Sequence, residues 1–271
     1  MPMKRDETGK RWVEMDLTVP GTPEQVWHAI ATGPGTAAWF TNAEIEPRVG
    51  GKVAFDFGSE ETAVPGEVTI WDPPHRFGYI ERDWAPGAPA LATEITVTAR
   101  SGDRCVVRMV HSLFSSTDDW DDQLDGFEKG WVGFFVVLRL YLQHFAGAHA
   151  ASCGDRISTT DDALSSWLRL GEALGLANAN VGERRAGTLG SESWSGVVEH
   201  IHQDAEQRFV IVRLDAAAPG ILLAGIYCRE ASTTVSVTRF FYGADADARA
   251  RDATPRVRTW LGSTFGTNPT T

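Results

Sequence analysis

The stretch that most limits the fold of this chain is Asp118 to Phe145, one long helical pattern that is apolar on more than one side. Leu124, Phe127, Trp131, Phe134, Leu138, Leu142 and Phe145 recur at helical spacing, and almost every position between Trp131 and Leu138 is apolar. Its acidic start (Asp118, Asp119, Asp121, Asp122) suits the positive end of a helix dipole. A helix that is apolar well beyond one stripe must be covered on more than one side. The cover has to come from what precedes it.

What precedes it is strand-like. Trp12 to Val19 reads as a first strand, with Trp12, Met15, Leu17 and Val19 as its apolar set. Thr22 then caps a helix that opens with Pro23, Glu24 and Gln25 and carries Val26, Trp27 and Ile30 as its stripe. Gly33-Pro-Gly ends that helix, and Trp39-Phe40 follows on a short second helix or turn. Five strand segments come next: Val53 to Phe57, Gly66 to Trp71, Arg76 to Trp84, Ala92 to Arg100, and Cys105 to Phe114. Turn residues separate them closely, which makes an antiparallel meander. The expected fold class is α+β, an antiparallel sheet wrapped round a long closing helix, complete within residues 1–147.

These residues resemble the SRPBCC or START-like superfamily, in its branch homologous to the activator of the heat-shock-protein-90 ATPase. The resemblance rests on Pro23-Glu-Gln-Val-Trp27, Trp39-Phe40, Val49-Gly50-Gly51, Gly66-Glu-Val68, Asp72-Pro-Pro-His-Arg-Phe77, Thr93-Glu-Ile-Thr-Val97, His111-Ser112 and Gly130-Trp131, in family order over residues 12 to 146. It implies a helix-grip fold with a cavity between curved sheet and last helix. Members of the superfamily bind lipids or hormones, act on polyketide-like substrates, or act on a chaperone. Fold likeness alone does not choose among these.

The second half reads as a degenerate copy, residues 161–271, after a small, polar linker at 148–160. Val181-Gly182 repeats Val49-Gly50, Gly190-Ser-Glu192 repeats Gly58-Ser-Glu60, Arg208-Phe209 repeats Arg76-Phe77, and Gly196-Val-Val198 echoes Gly66-Glu-Val68. Asp161 to Leu176 supplies a capped helix around Trp167, and Thr254 to Phe265 a short closing helix. The first strand of this copy is poorly marked, at best Arg156 to Thr159.

Charge narrows the function classes. Against 36 Asp and Glu stand 25 Lys and Arg, a formal balance of −11. That sign argues against nucleic acid, whose phosphates need a basic face, and against docking on anionic lipid. The three cysteines (Cys105, Cys153, Cys228) are far apart and odd in number, so no disulfide framework is expected and a reducing cytoplasm fits best. Met1 to Leu17 lacks the apolar run of a signal peptide, and Trp131 to Leu138 is too short to span a bilayer. There is no Walker loop, dinucleotide fingerprint or nucleophile elbow, so no cofactor is expected.

Ten tryptophans and thirteen phenylalanines are an excess suited to an apolar or aromatic ligand. Strand alternation places Val53, Phe55, Phe57, Phe77, Tyr79, Glu81, Thr93, Ile95, Val97, Cys105, Val107, Met109 and His111 on the concave face. A slip of one residue would turn Glu81 outward. The ligand-binding set is Trp39, Phe55, Tyr79, Trp84, His111, Trp131 and Phe135, enclosing a small hydrophobic molecule. An enzyme of the cyclase or hydrolase kind is the alternative, with His111 and Glu81 (or a cavity water) as catalytic candidates. A protein-interaction module with a chaperone partner is a third reading, and a homodimer is allowed. The second half sets Arg213 and Arg239 where Glu81 and His111 stand, so the two copies do not share any chemistry. His200 and His202 face one way on a strand, but no third ligand lies near, and no metal is expected.

Overall fold

The structure, a computed structural model, describes residues 3–7, 9–56, 65–114, 119–216, 218–229 and 232–266. Phe57, the Gly58-Ser-Glu60 motif and the side chain of Phe127 lie outside what is described. The chain divides into two units, Met1–Gly147 and Ala148–Thr271. Among the described residues no helix is long and apolar enough to cross a membrane.

The first unit runs β1 (Lys4–Arg5), β2 (Lys10–Pro20), α1 (Pro23–Ala31), α2 (Gly33–Ala37), β3 (Asn42–Ile45), β4 (Lys52–Asp56), β5 (Gly66–Asp72), β6 (Arg76–Glu81), β7 (Leu91–Arg100), β8 (Arg104–Phe114) and α3 (Asp121–His144). Its strands form one antiparallel sheet in the order β1-β2-β8-β7-β6-β5-β4-β3. The N-terminal strand therefore pairs with the last one, and the meander folds back from there under α3. Thr22 caps α1 through a capping box, its hydroxyl accepting from Gln25 N while Gln25 returns the bond to Thr22 N at 2.9 Å; such caps stabilise by about 1 kcal/mol.

Two sequence expectations need correction here. Gly33-Pro-Gly does not simply end α1: Thr32 Oγ1 accepts from Gly35 N at 3.0 Å and starts α2, with Pro34 in its first turn. The buried face of β2 is Arg11, Val13, Met15 and Val19, so Trp12 lies on the other face, beneath the Lys10 ammonium. Arg11 hid this phase, because a buried arginine reads as an exposed residue in an apolar–polar count.

The second unit runs β9 (Ala150–Thr159), α4 (Ala163–Leu174), β10 (Arg184–Leu189), β11 (Glu192–Gln203), β12 (Gln207–Ala216), β13 (Gly220–Arg229), β14 (Ser232–Tyr242) and α5 (Ala246–Phe265). Its sheet order, β10-β11-β12-β13-β14-β9, again places the first strand beside the last. This is the same helix-grip topology, without counterparts of β1, α2 and β3 among the described residues. The chain is α+β and holds two helix-grip units in tandem. The expected linker at 148–160 is instead almost wholly β9, paired with β14 from Tyr242↔Ala150 to Thr233↔Thr159. Small residues (Ala150, Ala151, Gly154) made it read as a connection. The closing helix is also longer than expected. Pro255 lies inside α5 rather than at its start.

Backbone geometry confirms the repeat. Gly50 N donates to Val68 O at 2.8 Å, and Gly182 N donates to Val198 O at 2.8 Å. Both glycines have positive φ, 74° and 87°, which side-chain-bearing residues adopt at a cost. A bulge then follows Val68 in β5 and Val198 in β11. From these registers Trp71 matches Ile201, Phe77 matches Val210, and Tyr79 matches Val212. The expected pairing of Arg76-Phe77 with Arg208-Phe209 is thus one residue out, because the second hairpin is three residues longer, Ile201 to Val210 against Trp71 to Phe77.

Candidate functional site

Across the concave face of the first sheet, register aligns Val68, Tyr79, Thr93, His111 and Val13 in one row. Three of the five are polar, and all three are buried: Tyr79 is 4% exposed, Thr93 2% and His111 3%. Buried polar groups need partners, and these find one another. Thr93 Oγ1 lies 2.9 Å from His111 Nδ1, and Tyr79 is the cross-strand neighbour of Thr93 on the other side. Burial pulls the His111 pKa down to about 4, so the ring is neutral at pH 7. Burial, and then the nearby Glu81 carboxylate, hold the Tyr79 phenol far above its ordinary value.

The next row toward the N-terminal end of α3 is Gly66, Glu81, Leu91, Leu113 and Arg11. Glu81 therefore faces inward with Tyr79. Burial raises its pKa to about 7, although its surface is only partly covered. Gly66 makes room for it: a Cβ there would sit 2.9 Å from Ile80 O and 3.1 Å from Glu81 Cγ. At the end of this row the buried Arg11 guanidinium is ion-paired with Asp121 in the first turn of α3.

Aromatic rings roof the polar row. Trp131 of α3 stacks on His111 at 5.8 Å and 18°, and on Phe135 at 5.7 Å and 24°. Trp39 meets both Trp131 and Phe135, and its Nε1 donates to Ala29 O at 2.9 Å, which fixes the indole beneath α1. Phe55 reaches Tyr79 at 5.5 Å. Phe135 also walls a groove of about 310 Å³ between β2 and α3, together with Met15, Leu17, Val132 and Val136.

Six of the seven expected ligand-binding residues therefore join one linked set: Trp39, Phe55, Tyr79, His111, Trp131 and Phe135. Trp84 does not join it through any ring pairing given above. It packs with Trp120 at 5.4 Å, near Leu91, Leu113 and Leu124, and donates to Pro89 O at 2.8 Å. Sequence reasoning missed Phe40, which links Trp131 at 4.5 Å, Phe134 at 4.9 Å and Phe55 at 5.7 Å. Its place after Trp39 at the end of the helix pair was the available signal. Arg11 was missed for the reason already given.

In the second unit the matching rows read Val198, Val212, Leu222, Arg239 and Cys153, then Gly196 with Leu214. Arg239 takes the place of His111, as expected, but Leu214 takes that of Glu81. Arg213 matches Ile80 and faces the other way, where it pairs with Glu199 at 2.7 Å. Arg239 is held by both oxygens of Glu192, at 2.6 and 3.0 Å. His200 and His202 both stack on Phe209, and His202 Nε2 lies 2.7 Å from Asp204. Among the described residues no cluster of three His, Cys, Asp or Glu could hold a metal.

A sheet that grips a long helix over a buried polar row defines the class: a START-like helix-grip domain. The model of the family described as Activator of Hsp90 ATPase homolog 1-like protein matches residues 20–143, within the first unit. No curated protein matches the chain. Among solved structures, it is similar to DynU16, a protein in the dynemicin biosynthetic locus, at 18% identity and a TM-score of 0.42, over 94% of this chain and 96% of that one. It is also similar to BexL, a di-domain ARO/CYC from the BE-7585A biosynthetic pathway, at 14% identity and a TM-score of 0.45, over 96% and 100%. An HSP90 activator from Plasmodium falciparum is similar at 18% identity and a TM-score of 0.39, over 49% of this chain and 96% of that one.

Proposed function

We propose that the first unit binds a small apolar or aromatic molecule between its sheet and α3. The observation that carries this reading is the buried polar row Tyr79–Thr93–His111, in which Thr93 is hydrogen-bonded to His111 and His111 is stacked under the Trp131 ring. Small-molecule sites are mostly apolar walls with a few placed polar groups that set orientation. Here Trp39, Phe55, Trp131 and Phe135 supply the walls, and the row supplies the polar contact. The groove at Phe135 has the volume of a small ligand site and adjoins the ring set at that residue. The buried row favours a ligand bearing a hydroxyl or carbonyl over a pure hydrocarbon.

Titration of the full chain with 1-naphthol and with naphthalene, followed by calorimetry, tests this. The naphthol is expected to bind the more tightly, and Trp131→Ala and Phe55→Ala are each expected to weaken it at least tenfold. Unchanged affinity in both variants would refute the assignment of the pocket.

One observation favours a second reading, acid–base catalysis. Burial pushes His111 down to about 4 and Glu81 up to about 7. Two titratable groups driven apart on one face are suited to separate acid and base roles. That reading requires a substrate turned over by the wild type and left untouched by His111→Ala.

A further inference from the structure

The two units also differ where the first helix of each meets the sheet. Trp27 of α1 lies five residues after its cap Thr22, and Trp167 of α4 lies five residues after its cap Asp162, so the two indoles are equivalent. In the first unit Trp27 packs edge-on against Trp71 at 5.0 Å and Phe77 at 6.4 Å, and those rings fill the space beneath α1. Register places Ile201 and Val210 at the positions of Trp71 and Phe77. The indole is kept and both facing rings are lost.

The exchange leaves a cavity. About 290 Å³ lies beneath α4, lined by Trp167, Gly171, Ile201 and Val210, with Gln203 and Arg208 in its wall. A dry cavity of about 150 Å³ admits benzene, so this one suits a chain of about eight carbons with a head group. Leu164 and Leu168, 52% and 56% exposed, extend the apolar lining of α4 to the surface. Arg208 pairs with Gln203 two residue pairs beyond Ile201–Val210, hence on the same face, and its Nη1 donates to Gln203 Oε1 at 3.3 Å. No carboxylate pairs with Arg208 among the described residues. Glu172, on the α4 wall, lines the same cavity.

We infer that the second unit holds its own site beneath α4, for a short apolar molecule with a carboxylate head. The chain enters against Trp167 and Ile201, and the head meets the Arg208 guanidinium, which matches a carboxylate in charge and fork geometry. This site is separate from the polar row of the first unit and does not depend on it.

Calorimetric titration of the full chain with sodium octanoate, 1-octanol and octylamine tests the site. Octanoate is expected to bind once per chain and more tightly than the other two. Arg208→Gln, a change at a partly exposed side chain, should weaken octanoate about tenfold and leave octanol unchanged. Ile201→Trp, which restores the ring that the first unit carries at this position, should abolish both. Octanoate bound equally well by both variants would place it elsewhere and overturn the inference. So would octylamine binding the more tightly, or no binding of any of the three probes at millimolar concentration.

Discussion

Acidification is expected to destabilise the first unit through His111. Its ring is 3% exposed, and burial lowers its pKa from 6.5 to about 4. Because the folded value lies below the unfolded one, the unfolded chain takes up the proton first. The stability due to the neutral ring is therefore intact above about pH 6.5 and is lost as the pH falls toward 4. At about 1.36 kcal/mol for each pH unit, that interval is worth roughly 3 kcal/mol. Tyr79 and Glu81 share the face with His111, and Trp131 covers it from α3. Of these only Glu81 also titrates in this range, and its effect has the opposite sign. Urea unfolding of the full chain between pH 4 and 8, compared with His111→Gln, isolates the imidazole, and the transition that the substitution moves is that of the first unit. The wild type should lose roughly 2–3 kcal/mol more than the variant on acidification. Parallel pH profiles for the two proteins would refute the reasoning, since they would mean that the folded ring accepts its proton as readily as the unfolded one.

Glu81→Gln tests the opposite sign. Burial raises the Glu81 pKa to about 7 from 4.5, so its neutral form contributes fully below pH 4.5 and that contribution is lost as pH rises through 7. The variant should be more stable than the wild type at pH 8, with no such gain at pH 4.5, as read from the same urea series. Asp121→Asn should cost about 3 kcal/mol in denaturant unfolding, because it leaves the buried Arg11 guanidinium without its countercharge. Gly182→Ala, at a φ of 87°, should cost about 1–2 kcal/mol in the transition of the second unit.

The helix-grip fold was legible because the features that define it are local. The Thr22 cap, the alternating strands and the apolar run from Trp131 to Leu138 each state their own structure. The ring set was legible for a related reason: alternation and helical spacing fix which face a residue takes, and Phe55, Tyr79, His111 and Trp131 follow those periods. What stayed hidden depended on partners distant in sequence. Arg11 is buried because Asp121 neutralises it from α3, and no count along β2 reveals that. β9 is a strand because β14 lies beside it, although its small residues look like a linker. Pro255 sits inside α5 although a proline in sequence reads as a helix start. The bulges after Val68 and Val198 set the true correspondence of the two units, and a bulge leaves no mark in a residue pattern.

The proposal that the first unit holds a small apolar molecule under Trp131 is tested most directly by native mass spectrometry of the purified full chain, beside Trp131→Ala and Phe55→Ala prepared in the same way. The expected result is a discrete added mass on the wild type, released on denaturation as a hydroxyl- or carbonyl-bearing aromatic or apolar compound, and lost from both variants. The same added mass retained by both variants would contradict the assignment, because the molecule would then be held without the rings said to enclose it.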